Sequence, residues 1–452
     1  MSRALIWIRR DLRLDDQPAV DAALAAHDEA VVTFVLDPRL LGASGTKRVD
    51  QLFGYLGAVD ADLAQRGARL HVAAGDPAVE IPRLVDELGA EAVYVNADAT
   101  PYALDRDAGV ERALGEVPMV RRWGTVVHPP GTVLTQKGTL SQVFTPFSKR
   151  WFATDLPDRL EEPTGVLVDA GSGSGVPAPL ATPALDPSPG AVARRIDEFA
   201  ERVGRYADDR DAPAIDGTSN LSVDLRFGAV SPRSLAERFL HLPGGEPFVR
   251  QLAWRDWYAH LLAERPDMPD AALKPAYDGI AWLDDDVGFT AWSEGRTGYP
   301  IVDAGMRQLN ETGLMHNRVR MIVASFLVKD LLVDWRRGER YFRRQLLDAD
   351  VASNVGNWQW VAGTGADAAP YFRIFNPISQ SRKFDPDGVY VRRWVPELSD
   401  LDDTAVHWPH DLGPLELAAA GVTLGDTYPA PIVDHAMARE RTLETYQAAV
   451  KG

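Results

Sequence analysis

The chain has 452 residues, a formal net charge of −17 and no cysteine. This length is enough for two or three domains with sizeable cores, and the lack of cysteine excludes disulfides, iron–sulfur clusters and thiol catalysis. No apolar run approaches the length of a membrane span, and the nine histidines show no metal-binding spacing. We therefore expect a soluble, cytoplasmic protein without a metal site.

The first part of the chain alternates between β-rich apolar runs and helical stretches. The runs lie at 4–8, 31–37, 69–74 and 92–96, and the helical stretches lie near 18–27, 48–66, 77–88 and 102–114. This alternation predicts an α/β domain with a parallel, Rossmann-like sheet and helices on both faces. No G-x-G-x-x-G sequence follows the first strand, so a dinucleotide site of that type is not indicated. Asp11, Arg13 and Asp15 would lie just past this strand, either as ligand contacts or as ordinary loop charges.

The middle of the chain is predicted to be a linker. Residues 167–190 are rich in Gly, Ala, Pro and Ser, and the prolines after GSGSG do not suit the helix that a phosphate loop requires. From about residue 192 onward, helical periodicity replaces the strand pattern. We predict an α/β domain at 1–130, a linker at 131–195 and a larger all-α domain at 196–452.

The charge distribution leaves the question of a nucleic-acid partner open. The overall negative charge argues against DNA, but residues 314–393 carry thirteen Lys and Arg against eight Asp and Glu. Such a region could face DNA phosphates. A solvated surface of mixed charge explains the same count equally well.

Several polar residues of the helical part are candidates for a binding site. Thr218, Ser219 and Ser222 precede a helix-like run, where their hydroxyls suit a phosphate or an ordinary N-cap. Arg320 is a natural partner for Asp348, because a buried arginine requires a carboxylate and can bind it in a bidentate manner. A plain buried salt bridge remains the alternative for this pair.

The stretch DADVASNVGNWQW, followed by GTGADAAPYFRIFNP, resembles the flavin-binding segment of the photolyase/cryptochrome family. WIRRDLRLDDQPAV near the N-terminus resembles the opening of that family's antenna domain. The resemblance spans nearly the whole chain and is closest to class I cyclobutane pyrimidine dimer photolyases. It implies that the all-α domain binds FAD and the DNA lesion.

The resemblance also implies which residues bind the cofactor. Asp348 and Arg320 would stabilise a negatively charged flavin ring, and Asn354 would face its N5 atom. Asn220 stands where some relatives carry Arg, which puts one phosphate contact in question. The complete set is Tyr206, Thr218, Ser219, Asn220, Leu221, Ser222, Arg255, Tyr258, Asn317, Arg320, Asp348, Asp350 and Asn354.

Three tryptophans match the electron-transfer chain of the family. Trp358 would lie nearest the flavin, Trp335 in the middle and Trp282 at the exposed end. The chain has twelve tryptophans, and core packing is the ordinary explanation for any three of them. The relay is therefore implied by the motifs around these residues alone.

By the same resemblance, Trp254 and Trp360 would bracket a flipped-out lesion, and Met321 would contact it. The catalytic set would be Gln251, Trp254, Asn317, Met321 and Trp360. The DNA-binding set would be Arg210, Trp254, Arg318, Trp360 and Arg373.

One position departs from the pattern of dimer-repairing relatives. Gln251 stands where they carry Glu, and an amide cannot transfer a proton. Gln occurs there in (6-4) photolyases and animal cryptochromes, but (6-4) photolyases use a His-His pair where this chain has His316 and Asn317. We therefore predict light-driven repair of cyclobutane dimers, by electron transfer from photoexcited reduced FAD, in a carbon–carbon lyase. The alternatives are a cryptochrome-like photoreceptor, a (6-4) photolyase and a non-photochemical flavoprotein.

The family resemblance also allows an antenna chromophore. Residues 96–107 follow a predicted strand, where such a ligand would make contact. Thr100 replaces the acidic residue expected for a folate, so a deazaflavin or an empty cleft is favoured. We expect a monomer that associates with the nucleoid through DNA containing pyrimidine dimers.

Overall fold

The computed structural model describes residues 1–157 and 164–451. By packing, the chain divides into two units. The first comprises Met1–Gly204 with Ser219–Pro266, and the second comprises Arg205–Thr218 with Asp267–Gly452. These units reflect packing within each part, so the predicted domain boundaries at residues 130 and 195 stay predictions.

The first unit contains a parallel sheet. Its strands are β1 (Arg3–Trp7), β2 (Glu29–Leu36), β3 (His71–Ala74), β4 (Ala92–Asn96), β5 (Met119–Arg122) and β6 (Val166–Leu167). The order is β3-β2-β1-β4-β5, and β6 pairs with the first two residues of β2. Leu5 of the central strand β1 faces Val31 on one side and Val93 on the other, and it is fully buried. A strand that is covered on both faces has a continuous apolar sequence, as β1 does. The predicted α/β class is confirmed.

Helices alternate with these strands and continue along the chain, and of the helices in this group only Tyr206–Asp209 belongs to the second unit. They are α1 (Pro18–Ala26), α2 (Pro38–Ala43), α3 (Thr46–Gln65), α4 (Pro77–Leu88), α5 (Pro101–Leu114), α6 (Phe144–Ala153), α7 (Pro189–Arg202), α8 (Tyr206–Asp209), α9 (Ser222–Phe227), α10 (Pro232–Leu240) and α11 (Glu246–Glu264). Asp37, Asp76 and Ser231 cap α2, α4 and α10 with their side chains, each followed by a proline in the first turn. This combination satisfies a free N–H group and sets a helical φ at once.

The second unit is helical apart from an isolated bridge between Leu424 and Tyr428, as far as its residues are described. Its further helices are α12 (Asp286–Glu294), α13 (Pro300–Thr312), α14 (Asn317–Ser325), α15 (Trp335–Gln345), α16 (Val351–Ala362), α17 (Pro377–Phe384), α18 (Val389–Trp394), α19 (Pro414–Ala419) and α20 (His435–Lys451). The predicted all-α architecture of this part is confirmed. In the described ranges 1–157 and 164–451, no helix is both long and apolar enough to cross a bilayer.

Three features differ from the sequence prediction. Helix α2 and strand β5 were not predicted. In β5 only Met119 is buried, so the apolar pattern of a strand is missing. The predicted linker contains α6 and β6, so part of it extends the sheet. The helical periodicity predicted from residue 192 onward is interrupted by a π-helical turn, Phe326–Asp330. Leu332 then adopts a left-handed backbone with φ of 54°, and the regular helix resumes at α15.

Candidate functional site

Arg320 on α14 and Asp348 form the predicted ion pair. The Nη2 atom of Arg320 lies 2.8 Å from Oδ2 of Asp348, while its Nε atom donates to the Met315 carbonyl at 2.8 Å. The predicted pair is therefore made through one bond and does not use the bidentate geometry that an arginine can adopt. Asp348 is 6% exposed in its side chain, and its Oδ1 atom is buried without a hydrogen-bond partner among the described residues. Leaving a buried carboxylate oxygen unpaired is costly, so a donor group of a bound cofactor fits this position.

Helix α16 presents the second half of the predicted flavin motif. Asp350 caps α16 by accepting from the Ser353 N–H at 2.9 Å. The amide nitrogen of Asn354 donates to the carboxylate of Glu339 at 2.9 Å and to its carbonyl at 3.1 Å. These two bonds fix the orientation of the Asn354 amide and turn its oxygen away from Glu339.

Glu339 was not recognised from the sequence. Its side chain is 2% exposed, and burial raises the pKa of its carboxyl. In the arginine-rich helix WRRGERYFRRQ a single Glu reads as a surface partner of its neighbours. The signal that could have identified it is its position on the same side of α15 as Trp335 and Phe342, both of which are buried.

The hydroxyl-rich loop before α9 has a specific backbone. Asn220 has φ of 56°, a left-handed conformation that Asn adopts more readily than most residues. The N-cap position of α9 is occupied by Leu221, whose side chain makes no cap bond. Ser219 accepts from the Leu221 N–H at 3.3 Å. The hydroxyls of this loop thus do not serve as the N-cap of α9, which was the alternative to a phosphate contact. The phosphate contact itself stays a prediction.

Upstream of this loop, α8 begins at Tyr206, and Arg210 follows its last residue. The Arg210 guanidinium lies 5.8 Å from the centre of the Tyr206 ring. Tyr206 is 8% exposed, and burial raises the pKa of its phenol. The two predicted residues are therefore neighbours.

Helix α11 of the first unit carries four predicted site residues. Gln251 donates from its amide nitrogen to the Pro247 carbonyl one turn earlier, at 3.0 Å. The Arg255 guanidinium donates to the carbonyl groups of Thr125 and Leu225. The Tyr258 ring centre lies 5.7 Å from that of Trp254.

The opposite side of α11 is anchored by Asp256, which sequence reasoning missed. This fully buried carboxylate accepts from the N–H groups of Val127 and His128 and from the Trp151 indole at 2.8 Å. Burial raises its pKa to about 6, and the three donors oppose that rise. The anchor sets the position of α11, and so of Gln251 and Trp254.

Of the three predicted relay tryptophans, two are buried and the predicted outer one is partly exposed. Trp358 and Trp335 are 2% and 1% exposed, and Trp282 is partly exposed. Any side chain at Gly338 would meet the Trp358 ring, since a Cβ there would lie 2.2 Å from it. Glycine therefore lets Trp358 lie directly against α15, the helix that Trp335 begins.

Further aromatic residues next to the relay were not predicted. The Trp292 ring lies 6.2 Å from that of Trp358, and the Tyr446 ring lies 6.0 Å from that of Trp282. Both are fully buried. Their sequence contexts carry no motif that distinguishes them from ordinary core residues.

Arg318, predicted to contact DNA, is held within the second unit. Its Nη2 atom lies 2.8 Å from Oδ2 of Asp211, and its guanidinium stacks 4.2 Å from the centre of the Phe384 ring. Its side chain is 17% exposed, whereas that of Asp211 is 40% exposed. A DNA phosphate at Arg318 would therefore compete with Asp211.

The remaining predicted contacts vary in exposure. Met321 lies with its sulfur 3.9 Å from the Asn317 amide and 3.7 Å from Arg318. Asn317 and Arg373 are exposed, and Trp360 is partly buried.

The strand ends of the first unit hold a dense charged cluster. Arg9 and Arg106 both pair with Asp107 and both lie 4.8 Å from the Trp7 ring. Burial acts to raise the pKa of Asp98, but the charges of Arg10, Arg9 and Arg106 and the hydrogen bond from the Thr100 N–H together outweigh it and lower that pKa to about 2. Thr100 occupies the N-cap of α5.

Asp11 and Arg13 lie near this cluster and make internal contacts. Asp11 accepts from the Asn96 and Gln17 amides, and Arg13 donates to the carbonyls of Gly124 and Gly228. These bonds connect the loops to one another. They support a structural role for Asp11 and Arg13 and not a role as ligand contacts.

The sequence matches two family models. The model for the FAD binding domain of DNA photolyase matches residues 248–448, and the model for DNA photolyase matches residues 4–164. The chain is 40% identical to the deoxyribodipyrimidine photo-lyase of Agrobacterium fabrum, over 99% of this chain and 98% of the relative. It is 40% identical to that of Escherichia coli over the full length of both, and 41% identical to that of Streptomyces griseus over 98% of each.

Solved structures show the same likeness. A class III photolyase from Agrobacterium tumefaciens matches with a TM-score of 0.91 at 37% identity, over 100% of this chain and 98% of that chain. A Synechocystis cryptochrome matches with a TM-score of 0.90 at 29% identity, over 98% and 99%. An archaeal photolyase from Sulfolobus tokodaii, described with two FAD molecules, matches with a TM-score of 0.84 at 32% identity, over 99% and 100%.

Proposed function

This chain belongs to the DNA photolyase family, and we propose that it is a deoxyribodipyrimidine photo-lyase that splits cyclobutane pyrimidine dimers in DNA with light. The family resemblance drawn from the sequence motifs is confirmed. The class within the family stays a prediction, since a class III photolyase is among the similar structures. The observation that supports the proposal most strongly is the full-length likeness to relatives that carry this name.

The cofactor is FAD, in line with the FAD-binding family model over residues 248–448. Bound FAD supplies the absorption of light and the transferable electron. The Arg320 guanidinium would place a positive charge beside the flavin ring, and the unpaired Oδ1 of Asp348 would accept from a ring or ribose donor. Glu339 would keep the Asn354 amide in a fixed orientation.

Trp358 and Trp335 would carry an oxidising equivalent away from the cofactor through the buried interior of the protein. Trp358 and Trp335 are almost completely buried, so water is excluded from their rings. Trp282 is partly exposed and would exchange electrons with an external reductant.

Aromatic and polar groups are the proposed contacts of the lesion. Trp254 and Trp360 each keep partial exposure, and each offers an aromatic face to an unstacked base. Gln251 can donate to or accept from a base edge, but it cannot transfer a proton. Asn317 and Met321 are adjacent on α14 and would contact the same substrate.

A cryptochrome-like photoreceptor is the second candidate. Gln251 favours it, and a cryptochrome is among the similar structures. Repair is preferred because the curated relatives described above are named as photo-lyases and match over the full chain.

The deciding experiment illuminates purified, chemically reduced protein with an oligonucleotide that contains one thymine dimer. We expect about one non-covalent FAD per chain and restored thymines in the light only. An FAD-loaded, reduced protein that restores none would favour the photoreceptor. A protein that takes up no FAD would contradict the cofactor assignment.

For the second chromophore we keep the sequence prediction of a deazaflavin or an empty cleft. Support comes from Thr100, the N-cap residue of α5, which offers no carboxylate. The chromophore content of protein purified from its native host tests this, and a folate spectrum would contradict it. We also propose a cytoplasmic monomer, which light scattering and cell fractionation test.

A further inference from the structure

Trp254 has one face covered by another aromatic ring. The centre of the Phe144 ring lies 3.6 Å from that of Trp254, and the two planes differ by only 12°. The two rings are thus stacked almost face to face at van der Waals contact. Phe144 is the first residue of α6 and is 2% exposed, whereas Trp254 keeps partial exposure.

Phe144 is itself held from several directions. The Trp257 ring meets it edge-on at 5.7 Å, and the Arg250 guanidinium lies 5.2 Å from its centre. The Trp257 and Tyr258 rings also flank Trp254, at 5.2 Å and 5.7 Å. The Trp254 ring therefore lies on a fixed base, and rotation of its plane would have to displace a buried residue.

We propose that Phe144 is a positioning residue for lesion recognition, which fixes the plane of Trp254 so that the opposite face of the indole can stack on a flipped-out pyrimidine. This inference rests on the proposed function. A platform that is already ordered binds more tightly than one that must be ordered on binding, and base–aromatic stacking depends on parallel planes.

The test compares two substitutions at Phe144 with one at a neighbouring ring. Phe144→Leu removes the ring but keeps most of the volume, and Phe144→Tyr keeps the ring. Phe147→Leu is the matched control, because Phe147 is a fully buried ring on the same helix that packs against Trp257 and His260. For each FAD-loaded protein we would measure thermal stability, the repair rate at saturating DNA, and Kd for dimer-containing and undamaged oligonucleotides.

We expect Phe144→Leu to raise Kd for the dimer-containing oligonucleotide about tenfold, as expected for loss of an aromatic pair. Its Kd for undamaged DNA should not change. Phe144→Tyr should bind the lesion like the parent protein, and Phe147→Leu should lose stability without losing lesion affinity. Equal losses for both oligonucleotides, or the same loss in Phe147→Leu, would reduce Phe144 to a structural role and overturn the proposal.

A Trp254→Ala variant separates this inference from the proposed function. If Trp254→Ala binds the lesion as well as the parent protein, the stacking role of Trp254 is wrong. If Trp254→Ala loses affinity while Phe144→Leu does not, the stacking role stands and the positioning role of Phe144 is wrong.

Discussion

At the scale of single residues, Gln251 and Asn317 favour different lesions, and we give Asn317 the greater weight. One of its amide hydrogens is already engaged by the Pro247 carbonyl at 3.0 Å, so it has one N–H and one oxygen for a base edge. We predict dimer repair without (6-4) repair, because Asn317 replaces the histidine that (6-4) repair would need. Gln251→Glu should improve dimer repair, because it would restore the hydrogen bond that the glutamate of dimer-repairing relatives can make. The loss of such a bond typically costs about 0.5–3 kcal/mol.

The measurement compares both lesions in matched oligonucleotides under blue light, with pre-reduced protein. Repair of the (6-4) lesion by the parent protein would show that Gln251 outweighs Asn317. The dark reaction serves as the control for both lesions.

Arg318 is the residue at which a DNA phosphate would compete with Asp211. Its ion pair with Asp211, at 2.8 Å, would have to loosen for a phosphate to take the place of the carboxylate. We predict that Arg318→Ala weakens lesion binding by about 1–3 kcal/mol and lowers the salt slope by about one unit. Asp211→Asn should strengthen binding, because it removes the competing charge. Fluorescence anisotropy across a salt series measures both, and an unchanged affinity in Arg318→Ala would remove this residue from the DNA contact.

Trp358 is the predicted first donor of the relay. Phenylalanine fills much of the same space but is far harder to oxidise, so Trp358→Phe should strongly slow light-driven reduction of oxidised FAD. Repair by chemically pre-reduced protein should be retained to a much larger extent. Trp292→Phe is a useful comparison, since its ring lies 6.2 Å from that of Trp358. Photoreduction of Trp358→Phe at the parent rate would show that the relay assignment is wrong.

At the scale of secondary-structure elements, helix α20 packs against the π-helical turn after α14. The Thr442 hydroxyl donates to the Lys329 carbonyl at 2.5 Å. The Lys329 ammonium lies 3.6 Å from the centre of the Tyr446 ring and donates to the Ala362 carbonyl at 2.9 Å. A π-turn interrupts regular helix bonding, so these contacts support a segment that follows directly from Arg320 and Met321.

Lys329 makes this packing sensitive to pH. It is 1% exposed, and burial lowers its pKa to about 7 from its ordinary value of 10.5. The hydrogen bond to Ala362 and the Tyr446 ring act in the opposite direction. Between the folded and unfolded pKa values, the unfolded chain binds more protons, so stability rises with pH across that interval.

We predict that Lys329→Met removes this rise. The difference in free energy of unfolding between Lys329→Met and the parent protein should shrink as pH increases from neutral to alkaline, by about 1.4 kcal/mol for each unit of the pKa shift. Urea unfolding at several pH values measures it, with the exposed Lys274→Met as control. Parallel stability curves for the parent protein and Lys329→Met would contradict the prediction.

At the scale of the whole molecule, the protein must bind an anion while carrying a net charge of −17. Long-range repulsion therefore opposes DNA, and attraction has to come from a local group of arginines. Residues 314–393 provide a net positive charge, and Arg373 in this segment is exposed. Affinity for undamaged DNA should consequently be weak.

We predict that log Kd for lesion DNA rises with log salt concentration with a slope of about 3, roughly one unit for each of the proposed phosphate contacts of Arg210, Arg318 and Arg373. A titration between low and physiological salt measures this slope. A slope below about 1 would show that the arginines do not contact phosphates.

The sequence by itself determined the type of most elements and the family. The β-rich runs at 4–8 and 92–96 became β1 and β4, and the helical stretches near 77–88 and 102–114 became α4 and α5. These properties depend on the spacing of apolar residues over a few turns, which is a local property of the chain. The Arg320–Asp348 pair was predicted from charge complementarity and not from spacing, since a buried arginine needs a carboxylate.

Only the tertiary structure decided which distant side chains meet. Nothing near Phe144 in the sequence indicates that its ring stacks on Trp254, and the partnership of Asn354 with Glu339 depends on how α15 and α16 pack. The same holds for Lys329 and Tyr446, which come from separate helical segments. Such contacts depend on the packing of whole helices against one another, and a local pattern carries no information about which face meets which partner.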